Sequence, residues 1–439
     1  MPLHKRSSRF FGHGTLLLVS LLVSILIFSG PASAANVTVD CGSPGSGDGV
    51  TSFDHLQEAI NYLHDDLSQG PDLRHTIEVT GTCSFPADNN NDDTQDTDGN
   101  GNPIWNSFTV SDFANLTISA PLGQTAILFQ PVVTCDQTPS EAEVNIRGVL
   151  VISDSRFVRL LRLKIEGGQG VGVNDSRVEF RGGVVVMNSR GGGVGVGGEA
   201  GSFLSLSNPN DGVDNPQEPN RVELSCGDGI SVADTSSASV GGESRIHDNE
   251  GFGIFTTNSG RINLGGLSIV EGNRLGGMAL AFAARGGVGG QAIIRNNGNN
   301  TDTTHPRYRF RSGINAYFGS NLTITGPRPD PVTGVPIPGP TIENNTGPGV
   351  LVDVNSNVLL RNARIQGNSG GGLELIHQSV AEFEPEDTIL SGNTGGDLHC
   401  DSSSLAFGDL SGVGINQCGG SNQGGPGGGG PGGGGPGGP

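Results

Sequence analysis

Apolar residues recur at a regular interval between residues 171 and 398, each placed directly after a glycine or, once, an aspartate. The positions are Val171, Val194, Ile230, Ile254, Met278, Ile314, Val350, Leu373 and Leu398. Their spacings are 23, 36, 24, 24, 36, 36, 23 and 25 residues. Five spacings lie near 24, and the other three exceed that value by about half a repeat. The pattern predicts one structural repeat of about 24 residues with three inserted loops.

A second marker follows the same period. The following asparagines each precede one of these apolar residues by five positions: Asn249, Asn273, Asn345, Asn368 and Asn393. Asn297 lies 24 residues after Asn273 and fits the same series. We expect stacked repeats to align these amides so that they hydrogen-bond to one another as a ladder.

The residue types within each repeat favour strands. Short runs of Val, Ile and Leu alternate with Gly, Asn and Ser, which tolerate the left-handed conformation of tight corners. A repeat of this length holds three short strands, and successive coils stack about 4.8 Å apart. Amphipathic helices rich in Ala, Leu and Glu, which a helical solenoid needs, are absent from these repeats. The prediction is an all-β, right-handed parallel β-helix.

The segment before the repeats predicts the one convincing helix. Residues 52–67 place five apolar side chains on one helical face: Phe53, Leu56, Ile60, Leu63 and Leu67. Residues 76–83 follow as the expected first strand. Together with the repeats, this order resembles the pectin-lyase-like superfamily over residues 50–400. The resemblance implies that the helix covers the open N-terminal end of the coil.

That resemblance implies a fold but no particular activity, because the superfamily includes lyases, hydrolases, epimerases and adhesins. The set of polygalacturonase catalytic motifs is incomplete in the repeat region, and the motifs of pectate lyases and alginate epimerases are missing from it. Gly12-His13-Gly14 lies in the leader, and Arg162-Leu163-Lys164 is only a near match to Arg-Ile-Lys. No catalytic residue is therefore carried over from the family.

Three segments are predicted. Residues 1–34 resemble a bacterial signal peptide, with basic residues before an apolar run and a small-residue end at Ala32-Ser33-Ala34. Residues 35–418 form the β-helix domain, with its N-terminal cap at about 50–85. Residues 419–439 form a Gly/Pro-rich tail that we expect to be disordered. The mature protein is expected to be secreted or held at the cell surface.

Composition narrows the range of partners. The chain has 44 acidic against 24 basic residues and a formal charge of -20, which disfavours binding to nucleic acid. No later apolar run is long enough to span a membrane.

Gly accounts for 75 of the 439 residues and aromatics for 5%, which suits a thin core of small and β-branched side chains. A monomer is expected.

Six cysteines in an exported chain predict disulfides. Cys400 and Cys418 are close in sequence, and Cys41 and Cys83 flank the predicted helix, so we favour these two pairings. Cys135 and Cys226 either pair or remain thiols.

Two outward columns contain the candidate functional residues. Glu223, His247, Glu271 and Arg295 are spaced by one repeat each and offer an acid/base cluster of the kind that a glycosidase or lyase uses. The simpler interpretation of the same column is an ion ladder on the surface.

In the second column, Arg261 and Arg285 are one repeat apart and are suited to binding an anionic sugar. Alternatively, both arginines are merely solvated.

Two insertions, at residues 208–220 and 327–339, leave their repeats at equivalent places with three uninterrupted repeats between them. They predict a floor about 15–20 Å wide between two walls, where an extended glycan fits. Tolerated surface loops are the alternative.

Alternating carboxylates at Asp92, Asp96 and Asp98 before Gly99 suggest a calcium loop. However, the first ligand position holds Thr94, and the twelfth holds Trp105 where a bidentate Glu belongs. An acidic, disordered insertion is the preferred interpretation, and calcium is the one cofactor that the sequence suggests.

The sequence therefore supports three functions. The first is a secreted β-helix that binds an extended polysaccharide without catalysis. The second is a lyase or glycoside hydrolase with a non-standard site, and the third is a structural or adhesin-like rod at the cell surface.

Overall fold

The structure is a computed structural model of the whole chain. It describes residues 34–43, 47, 52–66, 73–84, 106–130, 135, 148–189, 195–207, 218–301, 311–329, 332–385 and 387–418. The predicted signal peptide and the Gly/Pro-rich tail lie outside these residues, apart from Ala34. No helix in the described ranges is long and apolar enough to cross a bilayer.

Three sheets run along the molecule, and all of their strand pairs are parallel. Sheet I has 14 strands, given in spatial order: Ser52–Phe53, Asn36–Asp40, His75–Thr80, Leu116–Ser119, Val158–Leu161, Arg177–Arg181, Phe203–Leu206, Ser237–Val240, Arg261–Leu264, Arg285–Gly289, Asn321–Thr325, Asn357–Arg361, Val380–Phe383 and Leu405–Gly408.

Sheet II has 11 strands: Thr82–Ser84, Ala126–Phe129, Leu163–Glu166, Val185–Met187, Arg221–Glu223, Arg245–His247, Ile269–Glu271, Ile293–Arg295, Thr341–Glu343, Arg364–Gln366 and Ile389–Ser391. Sheet III also has 11 strands: Phe108–Ser111, Leu150–Ser153, Val171–Asn174, Val196–Glu199, Ile230–Val232, Phe252–Thr256, Gly276–Leu280, Ile314–Ala316, Val350–Val352, Leu373–Leu375 and Leu398–Cys400.

Each coil contributes one strand to each sheet, in the order I, II, III. This is the predicted right-handed parallel β-helix. Ile254, for example, pairs with Ile230 on one side and Met278 on the other. One prediction of register is wrong: Val171 pairs with Val196, not with Val194, which lies outside the described residues. The glycine-rich run 191–195 offers several Gly-Val positions, so periodicity alone misplaced the strand by two residues.

Inward-facing residues stack into apolar columns that fill the coil. One column in sheet II consists of side chains that are at most 1% exposed: Val222, Ile246, Val270, Ile294, Ile342 and Ile365. Because every coil repeats the same inward positions, the core is a long thin stack of aliphatic side chains.

The N-terminal end is covered as predicted. The helix α1 (Leu56–Asp66) buries Leu56, Ile60 and Leu63 against the first coils. Phe53 is also buried, whereas Leu67 lies outside the described residues.

The prediction for the first strand is wrong in two respects. Asn36–Asp40 forms an earlier strand that pairs with His75–Thr80 and also with Ser52–Phe53. The expected strand at residues 76–83 is in fact two strands, one in sheet I and one in sheet II, with a corner at Gly81 where φ is 78°. A positive φ at glycine breaks a strand without steric cost, so the chain turns there.

Candidate functional site

Two neighbouring strands of sheet I place a pair of arginines side by side on the outer surface. Arg261 is the direct partner of Arg285 across the strands, and both side chains are exposed. Neither guanidinium forms an ion pair within the described part of the chain. Two like charges in register repel each other, so this pair reduces stability unless an anion is bound between them.

The outer surface of the described strands around these arginines is polar, small and free of carboxylates. We call it the arginine floor and define it as the outward positions of the four described strands from Ser237–Val240 to Asn321–Thr325. Its members are Ser237, Ser239, Arg261, Asn263, Arg285, Gly287, Gly289, Asn321, Thr323 and Thr325. In a chain of charge -20, this floor is a local positive region.

A groove crosses the floor beside the two arginines. It has a volume of about 480 Å³ and is lined by Arg261, Arg285, Asn263 and Thr323 among others. A Cβ at Gly287 would lie 2.7 Å from Asn263 Oδ1, so glycine at this position makes space for the Asn263 amide. The polar groups of this groove suit the hydroxyl and carboxylate groups of a sugar chain.

Both predicted insertions leave the coil after a sheet I strand and return to sheet II. One follows Phe203–Leu206 and the other follows Asn321–Thr325, and the three strands between them carry both arginines. Residues 208–217, 330 and 331 lie outside the described residues, so the predicted walls stay a prediction. The third insertion, by contrast, connects sheet II to sheet III between Arg295 and Ile314.

The acid/base column lies on sheet II, around a corner from the arginine floor. Glu223 and His247 are cross-strand partners, with 2.8 Å between His247 Nε2 and the Glu223 carboxylate. Asp248 lies 2.8 Å from the other ring nitrogen. Glu223 is 8% exposed, and the His247 side chain is 21% exposed, so this contact is shielded from water.

These contacts shift both pKa values. The hydrogen bond with Glu223 raises the pKa of His247 despite its partial burial, and Asp248 adds to the effect. The hydrogen bond with His247 lowers the pKa of Glu223 against the opposing effect of burial, and Arg221 and Lys164 assist. The contact therefore favours an ion pair at mildly acidic pH.

The rest of that column is also paired. Arg295 Nε donates to Glu271 at 2.8 Å, and Gln366 donates to Glu343 at 3.1 Å. The structure thus joins Glu223 to His247 and Glu271 to Arg295, which is the arrangement of a surface ladder. The cluster and the two arginines lie on different sheets.

No family model matches this sequence, and no curated protein matches it. Solved structures similar to the chain include the pectate lyase Pel9A, with 11% identity and a TM-score of 0.46 over 87% of this chain and 80% of that one. The A-module of the mannuronan C-5 epimerase AlgE4 from Azotobacter vinelandii has 12% identity and a TM-score of 0.45 over 84% and 100% of the two chains. The AlgE6 A-module has 14% identity and a TM-score of 0.36 over 83% and 96%.

These likenesses concern the fold alone. Identities are at most 14% and the TM-scores are below 0.5, so nothing about activity or ligand passes to this chain. The predicted resemblance to pectin-lyase-like β-helices holds at the level of the fold, which the three parallel sheets of this chain establish.

The disulfides match the sequence prediction and complete it. Cys41 is bonded to Cys83 and Cys400 to Cys418, as predicted. Cys135 and Cys226 also pair, which the sequence left open. Three disulfides indicate an oxidising environment. The candidate calcium ligands Asp92, Asp96 and Asp98 lie outside the described residues, so that site stays a prediction.

Sequence reasoning missed the turn from sheet III to sheet I, which we call the outward corner. In each of ten described coils, the first residue of this corner has φ between 41° and 62°. These residues are Asp112, Asp154, Asp175, Ala200, Asp234, Asn258, Phe282, Phe318, Val354 and His377. Two phenylalanines in this series stack on each other, with ring centroids 5.0 Å apart and planes 11° apart. Their positions relative to Arg285 and Asn321 were visible in the sequence, but no periodic signal marked them.

Proposed function

We propose that the mature chain is a secreted, monomeric β-helix that binds an extended acidic polysaccharide along the arginine floor, without catalysis. The observation that carries this proposal is the register of Arg261 and Arg285 on a floor without carboxylates. Cross-strand neighbours are about 4.8 Å apart, which is close to the length of one sugar ring, so adjacent guanidinium groups reach carboxylates on a chain that runs along the helix axis.

The polar surroundings support the same ligand class. Asn263, Thr323 and Thr325 supply the hydrogen-bonding groups that sugar hydroxyls need. A neutral glucan has no group that relieves the repulsion between the two arginines, so we expect a clear preference for polyuronates.

The test is affinity electrophoresis and calorimetry with polygalacturonate and alginate, with dextran as the neutral polymer. We expect binding to both polyuronates that weakens as salt is added. The double variant Arg261→Ala/Arg285→Ala should bind about tenfold more weakly or worse. The matched control is Arg364→Ala, which removes an exposed arginine from sheet II and should bind normally. Unchanged binding by the double variant would refute the proposal.

The second candidate is a carbohydrate-active enzyme, which the Glu223–His247 pair favours because a carboxylate and an imidazole at 2.8 Å are able to exchange a proton. Its position on sheet II, away from the arginines, makes it the weaker candidate. Incubation with the same polymers decides between the two: new reducing ends or unsaturated products, lost in Glu223→Gln, would establish the enzyme. A structural rod would neither bind nor cleave any polymer.

A further inference from the structure

The type of residue at the first position of the outward corner changes part-way along the helix. Up to Asn258, this position is occupied by Asp or Asn in every described coil except that of Ala200. In the next two coils the same position holds Phe282 (φ 52°) and Phe318 (φ 56°). Asp and Asn tolerate this left-handed conformation, whereas a bulky side chain there is strained.

The backbone keeps these residues in one column. Ser259 N donates to Phe282 O at 3.1 Å, and Ala283 N donates to Phe318 O at 3.0 Å. The corner geometry is thus the same in each coil, and the phenylalanines occupy positions where asparagine fits without strain.

The strained residues are only partly buried. Phe282 is 54% exposed and Phe318 is 39% exposed, although their rings stack on each other. Val354 continues the column at φ 48°, beside an open depression of about 470 Å³. Strained residues that hold apolar surface in solvent are typical of binding sites.

The stack also borders the arginine floor. Phe282 precedes Arg285 by three residues, and Phe318 precedes Asn321 by three. The rings therefore flank the floor on its sheet III side, while the two long insertions leave from its sheet II side. Phe282 and Arg285 share one coil, whereas Arg261 lies one coil before it and Phe318 one coil after it.

We propose that Phe282 and Phe318 form an aromatic platform that holds the pyranose rings of the polysaccharide whose carboxylates bind Arg261 and Arg285. This inference rests on the proposed function. The two rings cover each other's inner faces, so the sugar contacts the outer, exposed surface of the stack. One face of a pyranose ring consists largely of C–H groups and packs on that surface, while its carboxylate reaches the guanidinium groups. The ligand is then a polyuronate whose apolar sugar faces point toward the sheet III side of the floor.

The test is the substitution of each phenylalanine by the residue that the corner itself uses at Asn258. Phe282→Asn and Phe318→Asn should each raise the melting temperature by about 2 °C, because the strain is relieved. The same variants should bind polygalacturonate about fivefold more weakly. Phe282→Tyr keeps the ring and should keep wild-type affinity.

Ala200→Asn is the matched control, since Ala200 occupies the same corner at φ 51° away from the platform. It should gain stability and bind as the wild type does. If the phenylalanine variants bind normally while Arg261→Ala/Arg285→Ala loses binding, the platform is refuted and the floor stands. If the double arginine variant binds normally, the proposed function fails. A fall in melting temperature with unchanged binding would show that the aromatic stack is structural.

Discussion

Two corners of the same coil differ in how strictly they repeat. The asparagine corner, between sheets II and III, holds Asn249, Asn273, Asn297, Asn345, Asn368 and Asn393 in successive coils, each at most 5% exposed. Their side chains bond in series, with Nδ2 to Oδ1 distances between 2.8 and 3.1 Å. The outward corner instead changes from Asp and Asn to Phe, Phe, Val and His.

The difference follows from burial. A buried amide needs partners on both sides, so each asparagine of the asparagine corner depends on its neighbours above and below. The series even ends on a carboxylate, since Asn393 Nδ2 donates to Asp397 at 2.8 Å. Burial opposes ionisation of that carboxyl, but hydrogen bonds from Ile415 and Asn393 outweigh it and lower the pKa of Asp397. Side chains at the outward corner face solvent, so their residue types are free to differ from coil to coil and to suit a ligand.

The largest effect is expected from Asn273→Ala. Asn273 accepts from Asn249 and donates to Asn297 and to the carbonyl of Ile246, so its loss leaves several buried groups without partners. We expect the free energy of unfolding to fall by about 3 kcal/mol. Urea denaturation followed by circular dichroism measures it. Asn258→Ala at the outward corner is the control and should cost about 1 kcal/mol. Equal losses at the two corners would contradict the comparison.

A smaller effect of opposite sign is expected from Val354→Asn. Val354 is β-branched, has φ 48° and is only partly buried, so asparagine relieves strain and sacrifices little apolar contact. The free energy of unfolding should rise by about 1 kcal/mol. Differential scanning calorimetry gives the sign, and a destabilised variant would mean that Val354 is needed for packing.

The smallest effect concerns the pH dependence of the Glu223–His247 pair. The pKa of His247 is raised in the folded chain, so its contribution is complete below 6.5 and disappears as the pH rises through the folded-state value. The pKa of Glu223 is lowered, so its contribution is present above 4.5 and disappears as the pH falls through the folded-state value. The pair therefore stabilises most between pH 4.5 and 6.5.

His247→Gln tests this because it imitates the hydrogen bond from Gln366 to Glu343 in the same column. The wild type should exceed the variant in stability by a few tenths of a kcal/mol near pH 5.5, and the difference should shrink near pH 9. Thermal unfolding at the two pH values measures it. A difference that does not change with pH would mean that His247 stays neutral in the fold.

The sequence predicted the asparagine corner because the same residue type recurs there in successive coils. A one-residue error of register exposes a whole apolar face, so Val, Ile and Asn recur at nearly constant spacing. The same argument located Arg261 and Arg285 in neighbouring coils. It failed at Val194, where consecutive Gly-Val pairs gave several equal solutions, and at Asn36–Asp40, which lies outside the repeats and pairs at the edge of sheet I.

By itself, the sequence determined the coil, its circumference, the inward columns and the two expected disulfides, since these depend on spacing along the chain. Only the tertiary structure decided that the arginines and the Glu223–His247 pair lie on different sheets and that Cys135 bonds to Cys226. It also showed that Phe282 and Phe318 stack on each other. These facts depend on the backbone angles at each corner, because those angles decide on which face of the coil a side chain lies.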